Sequence, residues 1–109
     1  MSDNNFEKSR TYILNDAISY SDGAIVSKII VQNETGNVTL FAFDREQGLS
    51  EHTAPFDAIV HIIEGSARIN IRKEAYILNE GKMIILPASV PHAVEAIERF
   101  KMILTMIKN

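Results

Sequence analysis

Three histidines carry most of the chemistry that this sequence could perform, because the chain contains no cysteine. Without thiolates, no disulfide, cysteine nucleophile or zinc–thiolate site can form, and we expect any metal to bind through imidazole or oxygen. His52 precedes the apolar run Asp57–Ile63, His61 lies within it, and His92 follows Pro91. Imidazoles of this kind can bind a metal ion, exchange protons near neutral pH or form a fixed hydrogen bond.

Short apolar runs must position these histidines, and the runs recur at a fairly even spacing. Each has the length of a strand and is rich in β-branched or large apolar residues, and turn residues separate them. Many short strands with regular turns predict an all-β sandwich or barrel. The predicted strands are Ala24–Val31, Asn37–Phe43, Asp57–Ile63, Ala67–Arg72, Lys82–Leu86, Ala93–Ile97 and Lys101–Ile107.

The faces of these predicted strands differ in polarity. Ala67–Arg72 alternates apolar with polar residues, which is typical of a half-buried antiparallel strand. Ala24–Val31 and Asp57–Ile63 are apolar on both faces, so we expect a second sheet or a partner subunit to cover them. Lys101–Ile107 would also fit a helix, but its alternation favours a strand.

The segment Gly81–Ala96 resembles the second motif of the cupin superfamily. Gly81, Pro87 and His92 fall at the spacing of that motif, and Ser89 replaces its middle glycine. Together with the strand pattern, this resemblance implies a small single-domain cupin β-barrel, which is a double-stranded jelly roll.

We expect this barrel to occupy residues 23–109, preceded by an N-terminal arm or edge strand at residues 1–22. The arm and the strands that are apolar on both faces predict a homodimer, since arms of small cupins commonly pack or swap across the interface.

The segment Gly48–Gly65 resembles the first cupin motif, which supplies further metal ligands. The shell of the family combines three histidines with one glutamate. On this sequence the first and last histidines are His52 and His92, whereas the second histidine and the glutamate are replaced by Ala54 and Ala58. The resemblance therefore implies a shell that has lost half of its ligands, with no cofactor or a weakly held divalent transition metal.

The inward face of the predicted strands defines the candidate site. Asp57 is a further candidate metal ligand beside His52 and His92, although strand alternation directs it to the other face unless a bulge shifts the register. The same alternation directs His61 away from the site, towards packing or a subunit interface. The predicted ligand pocket consists of His52, Ala54, Ala58, Val60, His92 and Val94.

Methionines could also line a pocket. Met83, Met102 and Met106 are interpreted as flexible core residues, with pocket lining as the alternative.

The sequence favours two functions and leaves a third open. The first is a cupin that binds a small molecule in the barrel, because the two alanines remove charge and leave room for an apolar or mixed ligand. The alternative is a divalent-metal-dependent enzyme, an isomerase or dioxygenase, that uses His52 and His92. Metal-free acid–base catalysis by these two imidazoles is the third. Whether the protein is an enzyme stays open.

Net charge and composition limit the classes of partner that we expect for this protein. The net charge is −3 and the chain has no block of basic residues, so we expect no binding to nucleic acid. No segment reaches the apolar length of a membrane span, so no membrane partner is expected. Residues 1–10 lack the apolar core of a signal peptide, which predicts a cytoplasmic location.

Overall fold

The computed structural model describes residues 6–108, which form nine β-strands and one short 3₁₀ turn, Leu14–Asp16. All strand pairs are antiparallel. The strands are β1 (Ile25–Asn33), β2 (Gly36–Phe43), β3 (Gly48–His52), β4 (Ala58–Glu64), β5 (Ser66–Ile71), β6 (Glu74–Asn79), β7 (Met83–Leu86), β8 (His92–Ala96) and β9 (Phe100–Ile107).

The strands form two sheets that enclose the main core. The five-stranded sheet has the order β1-β2-β9-β4-β7, and the four-stranded sheet has the order β3-β8-β5-β6. Buried residues of both sheets share one cluster, with Phe43 and Phe100 from the first sheet and Ile69 and Val94 from the second. The predicted all-β cupin jelly roll is confirmed. No helix within residues 6–108 is long and apolar enough to cross a membrane.

All seven predicted strands are confirmed, with ends shifted by two residues at most. The run Lys101–Ile107 belongs to β9, which pairs with β2 on one side and with β4 on the other. This central position explains why its strand pattern prevails over its capacity to form a helix. Two strands escaped prediction, β3 and β6.

The two unpredicted strands lack the usual signals. Leu49 has the one large apolar side chain among the five residues of β3, so this strand shows no apolar run. β6 follows β5 across Arg72 and Lys73, which both have positive φ angles, 52° and 69°. A tight hairpin turn of this kind normally uses Asn-Gly, and the Arg-Lys pair gives no turn signal.

The N-terminal arm packs on the outer face of the five-stranded sheet. Ile18 is 1% exposed and contacts a cluster that contains Leu40 and Ala42. The Tyr20 hydroxyl donates a hydrogen bond of 2.5 Å to Glu64. None of residues 6–22 lies in a strand, so this part of the arm is not an edge strand. The second apolar faces of β1 and β4 are thus covered in part by the chain's own arm.

Candidate functional site

His52 and His92 meet on neighbouring strands of the four-stranded sheet. β3 ends at His52 and β8 begins at His92, and their Cα atoms are direct cross-strand partners. The centroids of their rings lie 4.4 Å apart, with the ring planes at 71°. The fold thus brings the surviving histidines of both predicted motifs to one place.

A β-bulge in β3 sets the direction of His52. Leu49 pairs with Val94 and His52 pairs with His92, so three steps along β3 match two steps along β8. In a regular strand, residues three apart point to opposite faces, and the extra residue restores them to the same face. Both Leu49 and His52 consequently line the same cavity.

The loop before His92 is fixed to the segment that follows His52. The amide of Ser89 donates a hydrogen bond of 2.7 Å to the carbonyl of Ala54. The amide of Ala88 donates one of 2.8 Å to the carboxylate of Asp57. These two contacts hold β8 in position relative to Ala54 and thereby position His92.

Asp57 therefore has a different place from the one predicted for a metal ligand. Its side chain holds the loop at Ala88 and does not line the cavity that contains the two histidines. Strand alternation explains this result, because Asp57 adjoins the inward-facing Ala58 and no bulge reverses it.

Each imidazole is oriented by a carbonyl two residues earlier in the chain. Nδ1 of His52 lies 2.8 Å from the carbonyl oxygen of Ser50, and Nδ1 of His92 lies 3.1 Å from that of Val90. A carbonyl only accepts hydrogen bonds, so Nδ1 carries the proton in both contacts. In the neutral rings, each Nε2 keeps a lone pair that can accept a hydrogen bond or coordinate a metal ion.

The surroundings of His92 favour its neutral form. Burial lowers the pKa of His92, and the adjacent imidazole of His52 lowers it further, while the hydrogen bond to Val90 opposes both effects. His92 is buried and His52 is exposed, so His52 stands at the mouth of the cavity and His92 lies deeper. At neutral pH, Nε2 of His92 is therefore an acceptor.

The cavity between the two sheets has a volume of about 60 Å³. A water molecule needs roughly 10–15 Å³ on this kind of measure, so the space fits a few waters or one small ligand. All six residues of the predicted pocket line it. The complete lining consists of Leu49, His52, Ala54, Ala58, Val60, Leu86, His92, Val94, Met102, Leu104 and Met106.

The donors at this cavity do not form a four-ligand metal shell. Ala54 and Ala58 stand in its wall and offer no donor atoms. Within residues 6–108, no group of three or more His, Cys, Asp or Glu residues could hold a metal ion. Two imidazoles are half of the shell that the family motif provides, and a divalent ion bound by them would depend on water or substrate for its other ligands.

Several residues outside the cavity also have defined places. His61 is exposed on the outer face of the five-stranded sheet, opposite Met83 and Ile103 on its neighbouring strands. Alternation predicted its direction correctly, but in the described chain it is not a packed residue. Met83 is 51% exposed and is not a core residue, because β7 is an edge strand and position 83 faces outward.

Leu49, Leu86 and Leu104 line the cavity but were not predicted to do so, and pocket lining was only the alternative interpretation of Met102 and Met106. Met102, Leu104 and Met106 alternate along β9, so the signal for one inward face was present. Leu49 gave no such signal, because in a regular strand it would point to the other face of the sheet from His52.

The fold and the site define a small cupin, and comparisons with known proteins agree. The sequence profile of the Cupin domain family matches residues 40–108. The chain therefore belongs to the cupin domain family. A search of the curated proteins found no match.

Several solved structures resemble this chain. A conserved protein of unknown function from Streptococcus pyogenes is 34% identical, with a TM-score of 0.92, and the match covers 100% of this chain and 96% of that one. A cupin superfamily protein from Desulfitobacterium hafniense is 24% identical, with a TM-score of 0.90 and 96% of both chains covered. A cupin 2 conserved barrel domain protein from Leptotrichia buccalis is 35% identical, with a TM-score of 0.85, over 89% of this chain and 47% of that one.

Proposed function

We propose that this cupin binds a small molecule in its cavity through Nε2 of His52 and Nε2 of His92, without a tightly held divalent metal ion. One observation carries the proposal. Of the eleven described side chains that line the cavity, two are imidazoles and nine are apolar. A small apolar space with a few convergent polar groups is the usual form of a ligand site.

The two imidazoles specify the chemistry of the ligand. Because each Nδ1 is occupied by a backbone carbonyl, the free Nε2 atoms accept hydrogen bonds from the ligand. The ligand therefore presents two N–H or O–H donors on one edge, as catechols do. Its remaining surface is apolar and its size is limited by a cavity of about 60 Å³.

The divalent-metal enzyme remains the competing function, and metal content separates the two. We would measure transition metals by elemental analysis in the wild type, His92→Gln and His61→Gln. His61→Gln is the matched control because His61 lies outside the cavity. We expect substoichiometric metal in all three proteins. A stoichiometric divalent metal that is lost only in His92→Gln would contradict the proposal and favour the enzyme.

Ligand binding is tested on the same three proteins with catechol as the probe. We expect catechol to raise the unfolding temperature of the wild type and of His61→Gln, because a ligand that binds only the folded state stabilises it. His92→Gln should show no such rise. An equal rise in all three proteins would place the binding elsewhere and refute the role of the two imidazoles.

The predicted homodimer has a candidate interface formed by β7 and the end of β9. Met83, Ile85 and Ile107 are 51%, 54% and 54% exposed, and exposed apolar patches commonly mark interfaces. We expect a twofold arrangement that buries this patch against the same patch of a second copy. Light scattering should give twice the mass of the chain for the wild type and the mass of a single chain for Ile85→Lys. A monomeric wild type would contradict this assembly.

A further inference from the structure

His61 lies among apolar residues on the outer face of the five-stranded sheet. Its Cα pairs with that of Met83 on β7 and with that of Ile103 on β9. Ile59 and Ile63 lie two residues before and after it on β4, so they point to the same face. The four nearest neighbours of this imidazole on the outer face are therefore apolar.

The arm covers only one side of this apolar group. Ile63 and Ile103 pack against the buried cluster beneath the arm. On the other side, Met83 and Ile85 each expose about half of their surface. His61 consequently stands between the covered part of the sheet and the open patch that we assigned to the homodimer.

We propose that His61 makes the association of two copies depend on pH, so that the copies pair when the imidazole is neutral and separate when it is protonated. The inference rests on the homodimer of the proposed function. A twofold interface sets the same patch of both copies face to face, so it brings like charges together. Met83, Ile85 and Ile107 carry no charge, and a patch without charge is complementary to itself. A protonated imidazole would lose its hydration there and would oppose a second cation.

The other charged groups on this face have partners of their own. Nζ of Lys101 on β9 lies 3.9 Å from the carboxylate of Glu64 on β4 and donates a hydrogen bond of 2.6 Å to the carbonyl of Asn15 in the arm. The Tyr20 hydroxyl donates to the same carboxylate, which lowers the pKa of Glu64, and burial raises the pKa of Tyr20. β7 carries no charged residue, and Asp16 lies in the 3₁₀ turn that contacts β4. Carboxylates titrate at a more acidic pH than imidazoles, and the other two histidines line the cavity.

The size of the effect follows from the two imidazoles of a dimer. The neutral fraction of a histidine in water falls roughly tenfold between about pH 7.5 and about pH 5.5. Because both imidazoles are neutral in the dimer, it binds fewer protons than two separate chains, and acid favours dissociation. The dissociation constant of the dimer should therefore rise by about a hundredfold between these pH values.

Sedimentation velocity over a range of protein concentrations measures this change at both pH values. We expect the rise in the wild type. Glutamine cannot gain a proton, so His61→Gln should dimerise equally at both pH values. Lysine is charged at both, so His61→Lys should stay monomeric. Circular dichroism shows whether each protein is folded under the same conditions. At concentrations where the chain is monomeric this effect is absent, so the pH dependence of unfolding can be measured there separately.

Three results would overturn the role of His61 and leave the homodimer in place. They are an equal dissociation constant of the wild type at both pH values, a pH response that persists in His61→Gln, and dimerisation of His61→Lys as tight as that of the wild type. A wild type that is monomeric at both pH values would overturn this inference together with the homodimer. The binding of catechol in the cavity is tested separately through His92→Gln, so its outcome is independent of all four results.

Discussion

Ala58→Val should stabilise the protein and abolish ligand binding, because it fills part of the cavity. Ala58 is 5% exposed and its Cα pairs with those of Leu86 and Met106. Valine adds two methyl-sized groups that point into the open space, and its β-branched side chain suits a strand. A cavity in a closely packed core costs stability, and such a cost is typical of positions that serve a binding site.

The cavity volume sets the magnitude of this effect. Residual cavities cost about 24 cal/mol per Å³, so a cavity of about 60 Å³ corresponds to at most about 1.4 kcal/mol of stability. Two buried methyl groups would contribute about 1.6 kcal/mol by their transfer from water, which is close to that limit. We therefore expect a gain of about 1 kcal/mol in the free energy of unfolding. For a chain of 109 residues this raises the unfolding temperature by about 4 °C.

Thermal and denaturant unfolding measure this gain, with Ala42→Val as the matched control. Ala42 is fully buried beneath the arm, in a cluster with Ile18 and Leu40, and it does not line the cavity. Valine should overpack that site and cost about 1–3 kcal/mol. Destabilisation by Ala58→Val of the same size as by Ala42→Val would refute the reasoning, because it would mean that position 58 has no free space.

Three further predictions concern His92, the two alanines and Ser89. The pKa of His92 is lowered in the folded protein from its ordinary value of 6.5, so below about pH 6.5 the unfolded chain binds a proton on this imidazole that the folded chain does not. The free energy of unfolding should therefore fall as the pH drops through that value. This slope should be reduced in His92→Gln and kept in His61→Gln. The double variant Ala54→His, Ala58→Glu should bind Zn²⁺ and gain about 2.7 kcal/mol of stability at a hundredfold excess of Zn²⁺ over its dissociation constant. Ser89→Gly should stabilise the fold by about 0.5–1 kcal/mol, because residue 89 has a φ angle of 63° that glycine adopts without strain.

Each of these predictions has a result that would contradict it. An unchanged pH slope of unfolding in His92→Gln would mean that this imidazole is not neutralised by folding. Failure of the double variant to bind Zn²⁺ would show that positions 54 and 58 do not face the same point as the histidines. For the glycine variant, the control is Ser27→Gly in β1, which should destabilise the strand. Equal destabilisation at both serines would contradict the strain assigned to Ser89.

The fold was largely predictable because apolar alternation and turn residues mark most of its strands. β9 illustrates this, since its alternation alone distinguished a strand from a helix. β6 shows where such a signal fails, because Arg72 and Lys73 form its hairpin turn without the usual turn residues. The covering of β1 and β4 by the arm depends on tertiary contacts of Ile18, which no local pattern reveals.

The site was predictable where side chains alternate regularly along a strand, and where the motif resemblance brought His52 and His92 together. Parity directed Ala58 and Val60 inward and His61 outward, as the structure has them. The bulge in β3 breaks parity, so the place of Leu49 could not be read from the sequence. The hydrogen bonds that orient the imidazoles also depend on backbone geometry that only the folded chain defines.

The central claim is that His52 and His92 offer two unprotonated Nε2 atoms to one cavity. Proton–nitrogen correlation spectra of the histidine side chains, recorded at mildly alkaline pH, test it directly. We predict that both rings carry their proton on Nδ1, and that catechol shifts the Nε2 signals of both rings together while those of His61 stay unchanged. A proton on Nε2 of either ring in the free protein, or a response to the probe at His61 alone, would contradict the account.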